Sequence, residues 1–311
     1  MNKVSVLIPS YNQENVIEET LSSALNQTYK NIEVVIADDA SKDGTPTILE
    51  KWQQRYPQRI KVFLHENNVG VTKNHNRGLY ECTGDFVVFL DGDDVLLPNK
   101  IEEQLAFMQA NPDCSLSYHD VEVFDSLTGE NIYLWSERIG TKQGELRNLI
   151  RFGNFLPAVG VMVRRKDIPL SGYDERIPVY SDWLFWLRIL ERGKGKICYL
   201  PSVQARYRRH EANMTNKFPA KFHDQNFVLD IVEEEMQDFR SEVNARRSEL
   251  YFMQAINDFS NGRFVSMLKF LYQSLRVSFP RLPWVRLVWR EINFMKKSFF
   301  VDHILRSIAH D

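Results

Sequence analysis

Three carboxylates, Asp91, Asp93 and Asp94, stand within four residues of one another directly after the apolar run DFVVFL. Side chains so close repel one another unless a cation or hydrogen-bond donors neutralise them. Hard oxygen ligands of this kind suit Mg2+ or Mn2+, and Mg2+ takes only one or two protein carboxylates, leaving the rest of its shell to water and substrate phosphates. Gly92 between them lets a ligand approach the backbone closely. A lone Asp-x-Asp also arises as a solvated turn, so the pattern gains weight from its place after a buried strand. A second acidic pair, Asp38-Asp39, follows the run IEVVIA and precedes Ser41, Asp43 and Gly44. A carboxylate here can accept from a nucleobase or a ribose, and one of Asp38, Ser41 and Asp43 is expected to cap the helix that opens at Pro46. Neither GxxxxGK[ST] nor GxGxxG occurs in the chain, so bound phosphates need a metal for most of their charge neutralisation.

These clusters need a frame to hold them. Residues 4–9 (VSVLIP), 32–37, 60–64 and 85–90 are continuous apolar runs of strand length, as expected for strands buried on both faces. Helical spacing separates them: Ile17, Leu21, Ala24 and Leu25 share one face, with Asn12 or Asn15 as cap, and Ile48, Leu49 and Trp52 follow Pro46. Strand and helix alternating at this spacing predict right-handed βαβ units, hence an α/β domain with a mainly parallel sheet. Ligands of such sheets bind beyond the carboxyl ends of the strands. The four polar clusters, 9–14, 38–44, 66–70 with Asn76-Arg77-Gly78 behind it, and 91–94, all follow strands. The site is therefore expected on that rim.

After Pro98, a candidate first-turn proline, a helix carries Ile101, Leu105 and Met108, and residues 115–124 alternate as a strand. SDWLFWLRILERG reads as a helix capped by Ser181 and closed by Gly193, and 196–201 as a strand. From about residue 218 only helical patterns appear. The expected division is thus 1–217, an α/β domain, and 218–311, a helical extension.

Composition excludes several classes. At 43% apolar and 26% charged residues the chain is ordinary globular material, neither disordered nor fibrous. A net charge of −2 gives no nucleic-acid signal. Cys82, Cys114 and Cys198 are too scattered for a metal motif or a disulfide scaffold and fit a reducing cytoplasm. No run reaches the length of a bilayer span.

The segment VSVLIPSYNQENVIEETLSSALNQTYKNIEVVIADDASKDGT, then NNVGVTKNHNRGL, then GDFVVFLDGDD, resembles the nucleotide-sugar domain of family 2 inverting glycosyltransferases with the GT-A fold. SDWLFWLRILERG and YRRHEANMT resemble that family's later segments, so the likeness covers about residues 3–216 with the motifs in order. The resemblance implies a nucleotide-sugar donor, usually UDP-linked, and bacterial surface polysaccharide assembly on a glycan or lipid-linked glycan acceptor. It implies that Pro9, Tyr11 and Glu14 frame the nucleotide pocket, that Asp39 bonds the base, and that Asn76 with Gly78 lies by the ribose and phosphates. Asp91 would contact the ribose, Asp93 would hold Mn2+ or Mg2+, and Asp182 would be the catalytic base. His210 would be a further metal ligand or touch the diphosphate. Two positions depart from the pattern: Ser181 stands where the family often has Glu, and His75 where many members have Arg. A sugar nucleotidyltransferase lacks its Gly-rich basic loop here, and a nucleotide-sugar-binding protein without catalysis has no need of Asp182.

The neutral total hides a polar extension. Residues 221–260 hold nine acidic and four basic side chains, and 261–311 hold nine basic and three acidic, a net of +6. Basic residues interleaved with Trp284, Trp289, Phe294, Phe299 and Phe300 fit an interfacial helix over 276–300, peripheral on the inner face of the cell membrane. The same aromatic stripe fits packing on the catalytic domain or on a second subunit of a homodimer.

Overall fold

A computed structural model of the chain describes residues 1–211, 213 and 218–278. The aromatic segment expected at the membrane therefore lies, from residue 279 on, outside the described residues. The first hundred residues alternate as β1 (Val4–Ser10), α1 (Ile17–Leu25), β2 (Ile32–Asp38), α2 (Thr45–Arg55), β3 (Ile60–Leu64), α3 (Val71–Leu79), β4 (Phe86–Phe89) and β5 (Val95–Leu96). Then come α4 (Lys100–Ala110), β6 (Cys114–Asp125), β7 (Asn131–Leu134), α5 (Trp135–Ile139), α6 (Leu146–Phe152), β8 (Met162–Arg164), α7 (Ser181–Gly193) and β9 (Lys196–Arg209). Helices α8 (Phe218–Glu235), α9 (Arg240–Ser260) and α10 (Phe264–Val277) follow.

All nine strands join one sheet, in the order β3-β2-β1-β4-β8-β6-β9-β5, with β7 on the outer part of β6. The half made of β3, β2, β1 and β4 is wholly parallel, as the alternation of strand and helix requires. Its strands are apolar on both faces because helices cover both: Val4, Val6, Leu7, Ile8, Val34, Val35 and Ile36 are fully buried. The short β8 then runs antiparallel between β4 and β6, which makes the second half mixed. β9 is longer than its apolar start at 196–201 suggests. It pairs parallel with β6 as far as Asp125↔Arg209 and so carries the chain to the rim.

Several helix ends differ from the sequence expectations. Helix α4 begins at Lys100 with Asn99 as its cap position, so Pro98 precedes the helix instead of opening its first turn. Ser181 is the first residue inside α7, and the cap position is Tyr180, without a side-chain cap bond. Lys194 takes the left-handed conformation (φ 51°) that ends α7, while Gly193 stays helical because a Cβ there would press on Ser115 and Asp167. Val16, not Asn12 or Asn15, precedes α1; Asn12 sits at φ 52° in the preceding loop.

The parallel half also contains a buried ion cluster. Glu33 on β2 receives Lys3 Nζ at 2.7 Å, Ser5 Oγ at 2.6 Å, and Thr83 N and Oγ1 at 2.7 and 2.8 Å. Burial alone raises a carboxyl, but the bonds from Lys3, Ser5 and Thr83 outweigh it and hold Glu33 far below the carboxylate range. A depressed folded value gives stability that is full above the unfolded carboxyl near 4.3 and fades as pH falls through the folded value. Glu33→Gln is expected to cost about 1–3 kcal/mol at pH 7. Urea melts at pH 7 and pH 2 check this: the gap between the variant and the parent narrows at the lower pH.

The described residues divide into two compact units, one reaching to Glu242 and one beginning at Val243. Helix α8 belongs to the first unit, with Val228, Leu229, Ile231 and Val232 buried, although the composition changes before it. In the second unit α9 and α10 are joined through Ser248, whose Oγ lies 2.9 Å from Ser274 O, and through Asp258, which receives Arg263 Nη2 at 2.7 Å. No helix among the described residues is long and apolar enough to cross a membrane.

Candidate active site

Parallel register aligns the strand ends, Ser10 opposite Asp38 and Asp38 opposite Leu64, so the clusters after β1, β2 and β4 meet on one rim. The loops after β1 and β2 are laced together by hydrogen bonds. Asn12 N donates to Ser41 Oγ at 2.8 Å, Lys42 N to Asn12 Oδ1 at 2.8 Å, and Gln13 N to Thr45 Oγ1 at 2.8 Å. Glu14 accepts from Gly44 N at 2.6 Å, which makes it a brace for the loop that opens α2. Pro9 is inside β1 and its carbonyl accepts from Gly92 N at 3.2 Å; Tyr11 is 46% exposed on the rim. Gly92 is needed for a reason internal to the protein, because a Cβ there would collide with Gln13 and the Pro9 carbonyl.

Of the second acidic pair, Asp38 is fully buried and accepts from Ser10 Oγ at 2.8 Å and Ser41 N at 2.9 Å. Asp39 accepts from Val69 N at 2.6 Å and Gly70 N at 3.0 Å, so both its oxygens hold the turn into α3. Asp43 Oδ1 accepts from Thr45 N at 3.0 Å, but the cap position of α2 is Gly44 without a side-chain cap bond, so none of Asp38, Ser41 and Asp43 caps the helix as expected. Asn76 is 3% exposed, and its amide clasps the Tyr173 backbone, Oδ1 at 2.7 Å from N and Nδ2 at 3.0 Å from O. Thr72 Oγ1 donates to Ile177 O at 2.7 Å, and Tyr80 Oη to Ser171 O at 2.9 Å. The polar face of α3 thus fixes the 171–181 segment that delivers α7.

That segment brings Asp182 to the Asp91 turn. Phe89, two residues before Asp91, packs edge-on against Phe185 and Trp186, with centroids 5.9 and 4.8 Å away. Asp182 lies in the first turn of α7, one turn before these rings. From the other side, Asp224 of α8 accepts from Val179 N at 2.9 Å and Tyr180 N at 3.2 Å, so an acid of the extension steadies the start of α7. Asp182 Oδ2 receives Asn154 Nδ2 at 2.6 Å, and Oδ1 receives Trp183 N at 2.8 Å. Asn154, in the loop after α6, carried no signal in the sequence.

The charges are concentrated here. Enclosure in the rim, then the charges of Asp93 and Asp182, push the Asp91 carboxyl up to about 7. Burial, then Asp93 and Asp91, push the fully buried Asp94 up as well, and its Oδ2 has no hydrogen-bond partner. Such a cluster is short of positive charge. His75, with Nε2 3.9 Å from Asp91 Oδ1, does not supply it, because burial lowers its imidazole and outweighs the raising effect of the 2.8 Å bond to Val71 O.

His210 closes the site from the end of β9, with Nε2 2.8 Å from Asp93 Oδ2. A latch sets that distance. Arg208 donates from N to Asp94 Oδ1 at 2.9 Å and from Nε to Asp93 O at 2.7 Å, and its Nη2 meets Glu19 of α1. Asn213 then accepts from His210 N at 2.6 Å and donates to Arg208 O at 3.1 Å. Arg208 is 6% exposed, and its neighbour Arg209 gave the sequence no reason to separate the two. Arg208→Ala is expected to weaken Mn2+ binding about 10–100-fold, as loss of groups that orient ligands does. Calorimetric titration of the metal checks this, and unchanged affinity would remove Arg208 from the positioning of the site.

A carboxylate and an imidazole converging beside two further acids fit a divalent cation of the Mn2+ or Mg2+ kind. Among the described residues no group of three or more acid, His or Cys side chains could hold a metal alone. Asp93 and His210 could supply two donors, and an ion of this kind would share the rest of its shell with substrate phosphates.

The family profile described as glycosyl transferase family 2 matches residues 5–167. The chain belongs to that family. It is 40% identical over 193 residues to the putative teichuronic acid biosynthesis glycosyltransferase TuaG of Bacillus subtilis, covering 61% of this chain and 73% of TuaG. It is 33% identical over 215 residues to the uncharacterized protein Rv1520 of Mycobacterium tuberculosis, covering 67% of this chain. The chain spans 59% of the length of that mycobacterial relative. Among solved structures it is similar to Staphylococcus aureus TarS 1–349 in complex with UDP-GlcNAc, with a TM-score of 0.67 at 20% identity over 88% of this chain and 81% of that one. It is also similar to the mannosyltransferase PcManGT of Pyrobaculum calidifontis in complex with GDP-Man and Mn2+, with a TM-score of 0.61 at 17% identity over 94% and 80%. At these identities the two structures establish the fold, the GT-A arrangement that the family resemblance implies, with the α/β alternation that the strand pattern predicts.

Proposed function

We propose that the chain is a metal-dependent, inverting glycosyltransferase that moves a sugar from a nucleotide donor, UDP-linked by preference, to an acceptor hydroxyl of a surface glycan or lipid-linked glycan. The observation that carries this reading is the meeting of Asp93, His210, Asp91 and Asp182 at one strand-end rim. TuaG's teichuronic acid role supports a polysaccharide acceptor, the UDP-GlcNAc on TarS supports a UDP-sugar, and the Mn2+ on PcManGT supports the metal.

Asp93 and His210 would hold the ion. A divalent cation bound there supplies positive charge that stabilises the leaving diphosphate. Asp182 accepts the proton of the attacking hydroxyl, which is a poor nucleophile until a base lies within hydrogen-bond reach. Its place in the first turn of α7 suits a negative charge, since the helix dipole is positive there. Asn154 Nδ2 and the Trp183 amide each donate to one Asp182 oxygen and so fix the orientation of the carboxylate at the start of α7. One base and one leaving group on opposite sides of the anomeric carbon make a single displacement, and a single displacement inverts it. Asp39, Glu14 and Asn76 serve this site through the loops they brace, while Pro9, Tyr11 and Asp91 border the space left for the nucleotide.

Incubation with UDP-sugars, Mn2+ and a glycan acceptor, followed by proton NMR of the product, tests the proposal. The expected product has the anomeric configuration opposite to the donor, and retention would overturn the single displacement. Asn154→Ala is expected to lower kcat about 10–100-fold with the donor KM unchanged, the scale of a misplaced catalytic group. Steady-state kinetics separate that outcome from a donor-binding role, which would raise KM.

A further inference from the structure

Helix α10 has two apolar faces, and the described residues of its unit explain only one. Toward α9 it turns Met267, Phe270 and Ser274; Ser274 is fully buried, and the Phe270 ring lies 6.1 Å from that of Tyr251. On the opposite side Val265, Leu268, Tyr272 and Leu275 are 86%, 59%, 65% and 46% exposed, and at its end Phe264, 58% exposed, also meets the Phe259 ring of α9 edge-on at 6.0 Å. At ~100° per residue these five span about 100° of arc, the width of a packed helix face. Lys269 and Arg276 lie side by side along one edge of that arc, and α10 contains no acid. An apolar stripe of this width on one helix marks an interaction surface, not scattered surface hydrophobics.

Charge selects what the surface meets. From Phe259 to Arg290 the chain has no acidic residue, while Arg263, Lys269, Arg276, Arg281, Arg286 and Arg290 are basic. A two-fold pairing with a second copy through this face would set each cationic rim against its own image, and such like-charge juxtaposition opposes association. A bilayer with anionic headgroups offers both complements at once, acyl chains for Leu268 and Tyr272 and negative charge for Lys269 and Arg276. We infer that the outward face of α10, residues Phe264, Val265, Leu268, Tyr272 and Leu275 with Lys269 and Arg276 at its edge, docks the chain on an anionic lipid bilayer. The surface lies N-terminal to most of the aromatic segment 276–300 and is independent of the transferase chemistry.

Co-sedimentation of the full chain with phosphatidylglycerol–phosphatidylcholine vesicles, and with phosphatidylcholine vesicles alone, tests this. Binding to the anionic vesicles is expected to fall steeply between 50 and 300 mM NaCl, about the range over which surface charges become screened. Leu268→Glu combined with Tyr272→Glu is expected to lower the partition coefficient about tenfold or more, since each loses its apolar insertion and adds repulsion. Both residues face solvent, so the melting temperature serves as the check on folding. Val265→Trp is expected to raise binding severalfold, because Trp favours the headgroup level. Unchanged binding of the double Glu variant, or no preference for anionic vesicles, would overturn the inference. So would a concentration-dependent dimer that the double Glu variant dissociates while vesicle binding is absent, an outcome that assigns the face to a second copy.

Discussion

Asp182→Asn is expected to reduce transfer about 10²–10⁴-fold, the range contributed by a positioned general base. Asn keeps the shape of the side chain and one acceptor oxygen, so the amide of Trp183, 2.8 Å from Oδ1, can still be met. It removes the capacity to take a proton. Binding of UDP with Mn2+ should survive, since Asp93 and His210 are untouched and 2.8 Å apart. Measured together, turnover and UDP affinity separate a lost base from a collapsed pocket. Normal turnover in this variant would remove Asp182 from the chemistry.

Asp93→Asn carries the second large effect and the opposite signature. Its carboxylate faces His210 Nε2 directly, and its backbone carbonyl is already held by Arg208. The substitution therefore removes a charged ligand without freeing the turn. A bound cation contributes several kcal/mol of charge stabilisation, so turnover should fall by roughly 10³-fold or more. Metal-dependent UDP binding should fall with it, unlike in Asp182→Asn. His210→Ala is expected in the same direction and by less, because a neutral imidazole contributes no charge.

The rim was legible in the sequence because its cause is local. Strands buried on both faces must read as unbroken apolar runs, and the residues that end each run must sit on one edge of a parallel sheet. Register bears this out at Ser10↔Asp38 and Leu7↔Phe89. The family motifs likewise named the acids that the fold gathers. What stayed hidden depends on distant pairs. Arg208 meets Asp93 and Asp94 from the far end of β9, whose length follows from pairing with β6 and not from its own hydrophobicity. Asn154 reaches Asp182 from a loop with no periodicity, and Asp224 reaches Val179 from a helix that composition assigned elsewhere. Asn76 was visible as a motif residue, but its bonds to Tyr173, nearly a hundred residues on, were not. Ser181 misled for a simpler reason: a serine before an acidic first turn has the composition of a cap, yet its hydroxyl faces Thr72 Oγ1 at 3.2 Å and leaves the cap position to Tyr180.

The central claim is that Asp93 and His210 seat a divalent cation that joins a nucleoside diphosphate to this rim. Calorimetric titration of UDP into the full chain, once with Mn2+ and once with EDTA, addresses it most directly. The account predicts saturable binding with Mn2+ that is lost in EDTA and in Asp93→Asn. Equal UDP affinity with and without the metal, unchanged by Asp93→Asn, would contradict it.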